Sequence, residues 1–273
     1  MEQAQQLVDR YFESAVTYWD DVYRECDLAG TVYQRRKEET LKWVADLRLP
    51  ANAKIIDVGC GTGRTALAIA QMGFSVCALD RVPAMLDQTR RHAAQAMISD
   101  QIIPTLGDVS HLEFEDNSFH LTVALGLLPW VNDPAQALRE MLRVTRPDGY
   151  LILSSDNSHR LNYLLDPIEN PIAVPLRRRI ATLLRSAMLL RKEMRLPVRM
   201  FSPSQFRCFL INHHLQILRE ATIGFGPFTL VRQPLLSDRL GTRVHEFLQS
   251  MADRKAAIVF EKGAHHLVLA RRS

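Results

Sequence analysis

The sequence predicts an α/β protein built on a doubly wound, mostly parallel sheet, and three observations carry that expectation. Apolar, β-branched runs alternate with helical segments from residue 54 to residue 155. The first run, Lys54-Ile55-Ile56-Asp57-Val58, enters a glycine-rich turn, Gly59-Cys60-Gly61-Thr62-Gly63, and then a helix. Asp57, Gly59, Asp80, Asp108 and Gly126 all fall at the C-terminal ends of predicted strands. Open parallel sheets bind their ligands there, near the switch point that falls here between strands one and four.

Length and composition bound the answer. With 273 residues, 47% of them hydrophobic, the chain suits one large domain or a domain with an insertion. Thirty-four basic against 30 acidic residues give a net charge of +4, too mild an excess to imply nucleic acid by itself, and no DNA partner is expected. The four cysteines, Cys26, Cys60, Cys77 and Cys208, form no C-x-x-C pair, so the expectation is reduced thiols in a cytoplasmic protein, with neither zinc nor disulfides. The first residues lack a basic segment followed by an apolar one, and no apolar run approaches the ~18 residues that span a bilayer.

Taken in order, residues 3 to 25 read as one or two helices rich in aromatics: Tyr11, Phe12, Tyr18, Trp19 and Tyr23. A charged helix follows from Thr31 to Leu47 and ends before Pro50. After the first strand, a helix from Thr65 to Met72 stops at Gly73, and Ser75–Asp80 forms a second buried strand. Arg81 to Met97 is the next helix, with Pro83 in its first turn, where the missing N–H costs nothing. Ile102–Leu106 is the third strand and His120–Leu125 the fourth, followed by a helix that Asp133 caps and Pro134 opens, running through Leu142. Arg146-Pro147-Asp148-Gly149 turns into a fifth strand, Tyr150–Ser154.

Residues 156 to 202 break the alternation. They contain Pro167, Pro171, Pro175 and Pro197 and a predicted helix from Leu176 to Leu196. From 151 to 200 there are nine Lys/Arg against four Asp/Glu, which more than accounts for the excess charge. The segment reads as an inserted lid; contact with an anionic membrane, an acidic or lipid-like substrate, and an ordinary solvated basic face all fit it. Ser202 and Pro203 restart the regular pattern with a helix to His213, a strand at Leu215–Leu218, a helix near Arg243–Asp253 and a last strand at Leu267–Ala270. The long connection from Gly224 to Gly263 suits either an acceptor pocket or core packing.

The glycine spacing selects among nucleotide cofactors. A dinucleotide fingerprint, G-x-G-x-x-G, would place its third glycine at position 64, which is Arg64, and no G-K-[ST] follows to make a phosphate loop. Asp80 lies 23 residues beyond Asp57, at the tip of the neighbouring strand. Its carboxylate suits two roles, capping the next helix or accepting hydrogen bonds from both hydroxyls of a ribose.

G-x-G-x-G preceded by an acidic residue resembles motif I of the class I S-adenosylmethionine (SAM)-dependent methyltransferases, and the resemblance extends over roughly residues 35 to 155. It implies a Rossmann-like methyltransferase fold with a seven-stranded sheet and an antiparallel final hairpin. It implies a helical cap in residues 1–50, a SAM-binding core in 51–155, the lid in 156–202, and completion of the sheet in 203–273. The cofactor residues it implies are Asp57, Gly59, Cys60, Gly61, Gly63, Asp80, Arg81, Asp108, Val109, Leu125 and Gly126, with Tyr18 and Arg35 from the cap. Asp108 would face the adenine amino group, although a turn aspartate fits Gly107-Asp108 equally well.

Leu128-Pro129-Trp130 departs from the [DNS]-P-P-[YFW] motif of enzymes that methylate nucleic-acid or protein amides, which disfavours those acceptors. A sulfonium donor is already activated and needs no metal; an oxygen or acidic carbon acceptor would still gain from a general base, for which Asp156 and His159 are the candidates. The layout is most similar to the small-molecule enzymes that act on ubiquinone, menaquinone and magnesium-protoporphyrin precursors. The expectation is O- or C-methylation of a small, apolar or amphipathic metabolite. An RNA methyltransferase and a SAM-binding protein without transferase activity are the alternatives, and the sequence says nothing of oligomeric state.

Overall fold

The computed structural model describes residues 2–25, 27–163, 166, 170, 198–230 and 233–273. Three helices come first: α1 (Glu2–Ser14), α2 (Val16–Asp21) and α3 (Leu28–Asp46). The core then alternates β1 (Lys54–Val58), α4 (Arg64–Ala70), β2 (Ser75–Asp80), α5 (Pro83–Gln95), β3 (Ile102–Leu106), β4 (Phe119–Ala124), α6 (Pro134–Val144) and β5 (Thr145–Asp156). The remainder is α7 (Pro203–Ile211), β6 (Leu215–Ile223), a two-strand hairpin of β7 (Thr229–Leu230) and β8 (Gln233–Pro234), α8 (Asp238–Asp253) and β9 (His265–Arg272).

Seven strands form one sheet in the order β3-β2-β1-β4-β5-β9-β6. The first five are parallel, and β9 runs antiparallel to both β5 and β6. The strand order reverses beside β1, whose neighbours are β2 and β4, so the tips of these strands border one crevice. Alternation along each strand feeds two cores. Ile56 and Val58 pack with Leu138, Met141 and Phe206 on one face, while Ile55 packs with Leu121, Ile69 and Trp43 on the other. A strand covered on both faces reads as a continuous apolar run, and β2 accordingly coincides with its predicted range; β3, at the sheet edge with Ile103 and Leu106 exposed, coincides with its range as well.

Local chemistry sets the ends. Asp133 accepts from the amides of Ala135 and Gln136 with Pro134 at the first helical position of α6, and Ser202 and Gln205 form a reciprocal capping box for α7. Two strands exceed expectation. β5 starts at Thr145 because Thr145 pairs with Phe119, which makes the Pro-Asp-Gly segment an irregularity inside the strand with Asp148 at φ 61°. β6 continues past Leu218 to Ile223, its polar stretch held by pairing to β9 up to Ile223 opposite His265. Of residues 156–202, the structure describes a short turn at Leu161–Tyr163 and a bridge between Asn157 and Phe201. The predicted basic helix over 176–196 lies outside the described residues.

The cap is tied to the core through one buried carboxylate. Asp20, 6% exposed at the end of α2, accepts from Arg64 Nε at 2.9 Å and from Gln88 Nε2 at 3.2 Å, with His92 Nε2 3.2 Å away. His92 in turn donates through Nδ1 to the carbonyl of Thr62 in the glycine turn, at 2.9 Å. Replacing Asp20 by Asn removes the charge opposite the half-buried Arg64 and beside the buried His92. Asp20→Asn should lower unfolding stability by about 2 kcal/mol and speed proteolysis within residues 2–25, measured by denaturant titration and limited digestion. Unchanged digestion would show that the cap is held by other contacts.

Candidate cofactor site

The floor of the crevice is the turn between β1 and α4. Gly59, Gly61 and Gly63 all have positive φ, +70°, +56° and +76°. The chain is folded back onto β2, with the amides of Gly59 and Cys60 donating to the carbonyl of Leu79 at 2.7 and 3.0 Å. Gly61 and Gly63 face different ways. A Cβ on Gly63 would lie 2.6 Å from Thr89 of α5, so this glycine serves helix packing, and it does not line the crevice. A Cβ on Gly61 would meet nothing within 4 Å, because it faces the open crevice.

Three carboxylates surround the turn. Asp80 Oδ2 accepts from the Gly61 amide at 2.9 Å and Oδ1 from the Val82 amide at 2.9 Å, so it anchors the turn and leads into α5 at once. Burial raises its pKa, and hydrogen bonds from Val82, Gly61 and Arg81 oppose the rise without cancelling it. Asp57 is buried and its Oδ2 has no partner among the described residues. Burial, together with the charge of Asp80, pushes it up to about 7 against the pull of the Ala66 amide and Arg36. Asp108 is half-exposed and forms a local turn, accepting from Ser110 N at 2.8 Å and Oγ at 2.7 Å. Its burial acts upward, but the Ser110 hydrogen bonds and Arg81 outweigh it and hold the carboxyl below its ordinary range. Arg81 bridges the crevice mouth, 3.2 Å from Asp9 of α1 and 3.4 Å from Asp108.

The opposite wall comes from the cap. Arg36 is 4% exposed, donates to the Tyr23 hydroxyl at 3.2 Å and lies 4.8 Å over the Tyr33 ring. Gly126, at φ +73°, makes room for it, since a Cβ there would lie 3.0 Å from the Arg36 guanidinium. Phe12 packs edge-on against Trp130 at 5.1 Å, and Trp19 lies beside both Phe12 and Tyr33. Asp57, Gly59, Cys60, Gly61, Asp80, Arg81, Asp108, Val109, Leu125, Gly126 and Asp156 line this one cleft together with Trp19, Tyr23, Tyr33, Arg36 and His265.

Besides Gly63, which was expected among the cofactor residues and packs against α5 instead, three residues expected at the site lie elsewhere. Tyr18 is 51% exposed and outside the cleft lining, because its neighbour Trp19 takes the inward face of α2. Arg35 points to the surface and bonds Asp253 of α8 at 2.9 Å; the inward position belongs to Arg36. The helical spacing of Val32, Arg36, Thr40 and Val44, all buried, is the signal that separates the two arginines. His159 sits in a turn, its amide bonded to Asn157 Oδ1, and the imidazole beside Asp156 is that of His265, with Nδ1 3.1 Å from Asp156 Oδ1. Among the described residues no group of three or more His, Cys, Asp or Glu is arranged to hold a metal ion. Nor is any described helix long and apolar enough to cross a membrane.

A seven-stranded, mostly parallel sheet with this order and a glycine turn at its switch point defines a class of fold, the Rossmann-like α/β proteins. Residues 56–153 match the family model described as a methyltransferase domain. A demethylmenaquinone methyltransferase of Lactiplantibacillus plantarum is 30% identical over 157 residues, 54% of this chain and 64% of the relative. The chain thus spans about three-fifths of the length of the curated relatives it matches. Among solved structures, magnesium protoporphyrin IX methyltransferase from Synechocystis PCC 6803 with bound SAH has a TM-score of 0.67 at 16% identity, covering 99% of this chain and 100% of that one. The [4+2]-cyclase SpnF has a TM-score of 0.63 at 18% identity, covering 98% and 96%. These structures establish the fold.

The residues present fit SAM. Gly61 leaves space against the turn, and Asp80 retains lone pairs for hydroxyls beyond the two amides it accepts from. Three buried polar atoms of opposite character lack partners among the described residues: Asp57 Oδ2, Arg36 Nε and Trp19 Nε1. An amino-acid zwitterion supplies partners for both signs.

Two predictions test this geometry. Asp80→Ala should weaken SAM binding by about 1.5–3 kcal/mol in a folded variant, read by calorimetry; unchanged affinity removes the ribose role. For Asp57 the sign follows from the upward shift. Between the ordinary carboxylate range and about 7 the folded protein holds a proton that the unfolded chain releases, so stability falls as pH rises through this window. Asp57→Asn should keep on the order of 3 kcal/mol that the ligand-free wild type loses over that window, measured by urea unfolding at several pH values. Parallel pH dependence of the two proteins would sink the assignment.

Proposed function

We propose that the protein transfers the methyl group of SAM to oxygen or carbon of a small, apolar or amphipathic metabolite. The observation that carries this reading is the pair of buried, incompletely satisfied charges on opposite walls, Asp57 from β1 and Arg36 from α3, above the glycine turn. Asp57 would hold the ammonium group of the cofactor, Arg36 its carboxylate, and Asp80 its ribose hydroxyls. Bound there, the cofactor supplies a sulfonium-activated methyl group. The chain's own part is then to fix the acceptor in line with that methyl and keep water away.

The composition of the cleft supports an acceptor with an apolar body. Phe12, Leu127, Trp130 and Val131 are among the residues that line it. A small-molecule acceptor agrees with what the relatives' names say of those proteins, a demethylmenaquinone and a magnesium protoporphyrin IX methyltransferase.

Calorimetric titration with SAM and, separately, with NAD tests the cofactor half, and the expected result is binding of SAM alone. Incubation with SAM and a panel of quinol precursors, phenols and carboxylates, followed by mass spectrometry for a methyl gain, tests the transfer half. Failure to bind SAM overturns the reading. Binding without any methylated product would leave a SAM-binding protein that carries out other chemistry.

A further inference from the structure

We propose that Asp156 and His265 form a proton-accepting dyad on the wall shared by the cofactor cleft and a second chamber, and that this chamber takes an acceptor with a phenolic or enolic hydroxyl. The inference rests on the methyl-transfer reading above and adds to it the base, the chamber and the acceptor's functional group.

The sheet itself makes the pair. Asp156 ends β5 and His265 opens β9, and the two are directly opposed in the antiparallel register. Opposed residues share a face, which brings carboxylate Oδ1 within 3.1 Å of imidazole Nδ1 although 109 positions separate them in the chain. The next residue, His266, projects to the other face and meets Glu220 at 2.9 Å. A carboxylate only accepts, so Nδ1 carries the proton and Nε2, which takes no hydrogen bond from the described residues, is the basic nitrogen. The Tyr33 ring lies 5.6 Å from the imidazole and fixes its plane.

Asp156, His265 and Tyr33 line both cavities. The second is an open-sided chamber of about 340 Å³ whose wall also includes Tyr18, Val32, Asn162, Pro227 and Thr229. That is a mixed surface, in which Arg160, Asn162 and Thr229 stand beside the apolar and aromatic groups, at the small end of the size range of metabolite pockets. The exposed Tyr18 and part of the glycine-rich connection after Gly224 find their place here.

A base discriminates among acceptors. A carboxylate is ionised at neutral pH and gains nothing from one, whereas a phenol, with a pKa of about 10, still holds its proton. The charges facing the imidazole suit this task. Burial lowers the His265 pKa, Asp156 on β5 raises it, and Arg36 on α3 and Arg160 beyond β5 lower it, so that the ring is left neutral. The balance is that of a simple displacement. The acceptor oxygen forms the O–CH₃ bond as the methyl–sulfur bond breaks with its electron pair left on sulfur, and the hydroxyl proton passes to His265 Nε2. Asp156 holds the ring and stabilises the imidazolium, which makes it a positioning residue.

The test uses 4-nitrophenol as probe, with S-adenosylhomocysteine present so that no transfer occurs. Proton transfer to the dyad should lower the apparent pKa of the bound phenol, seen as nitrophenolate absorbance at lower pH than in free solution, and His265→Gln should abolish that shift. In long-range ¹H–¹⁵N spectra His265 should carry its proton on Nδ1, and Asp156→Asn should redistribute it. Once SAM binding is established, His265→Gln should slow methylation of phenol by about 10²- to 10⁴-fold but methylation of pentafluorophenol, already ionised, far less. An undisplaced nitrophenol titration, no saturable nitrophenol binding, a proton on Nε2, or equal losses on both phenols would each overturn the dyad. Absence of SAM binding by the wild type would instead bring down the parent reading.

Discussion

The hydrogen bond from the Gly61 amide to the Asp80 carboxylate is the contact on which the cleft depends. It joins the turn after β1 to the tip of β2, and the second oxygen of the same carboxylate fixes the approach to α5 through Val82. One side chain therefore sets the spacing of two strand tips and the start of a helix, while remaining at the crevice wall. Of the two roles expected as alternatives for Asp80, capping α5 is not the one it plays: the N-cap is Val82, without a side-chain cap, and Asp80 bonds the Val82 amide ahead of the helix, which leaves its other lone pairs open to a ligand. Gly63 contributes from behind, where the absence of a Cβ lets α4 and α5 close around Thr89.

Charge in the cleft is arranged by burial more than by pairing. Asp57 and Arg36 each sit in the protein interior with an unsatisfied atom, and neither neutralises the other by direct contact among the described hydrogen bonds. Such an arrangement costs stability in the empty protein. The cost is tolerable only where an incoming group completes it, which is why the pair points to a zwitterionic ligand more sharply than the glycine turn does.

Much of the core was legible from the chain because buried parallel strands are short, apolar and bounded by glycine or aspartate. β2 matches its expected range for that reason. What escaped was phase and register. Arg35 and Arg36 are chemically alike, and only the buried spacing of Val32, Thr40 and Val44 tells which one turns inward. Tyr18 and Trp19 pose the same problem one helix earlier. His265 was hidden more deeply, since its meeting with Asp156 is made by strand pairing across 109 residues and no local pattern announces it. Proximity in sequence favoured His159, which the fold sends into a turn.

The cap has a further consequence. Among the described residues, none of α1 or α2 belongs to either of the two cores that clasp the sheet. These helices are attached instead by the Asp20 cluster, the Arg81–Asp9 pair and aromatic contacts on Trp130. They form a small cooperative unit with an opening free energy of its own, separate from that of the sheet. Because Phe12 and Trp19 wall the cleft, opening of this unit alone would uncover the cleft while the sheet stays folded.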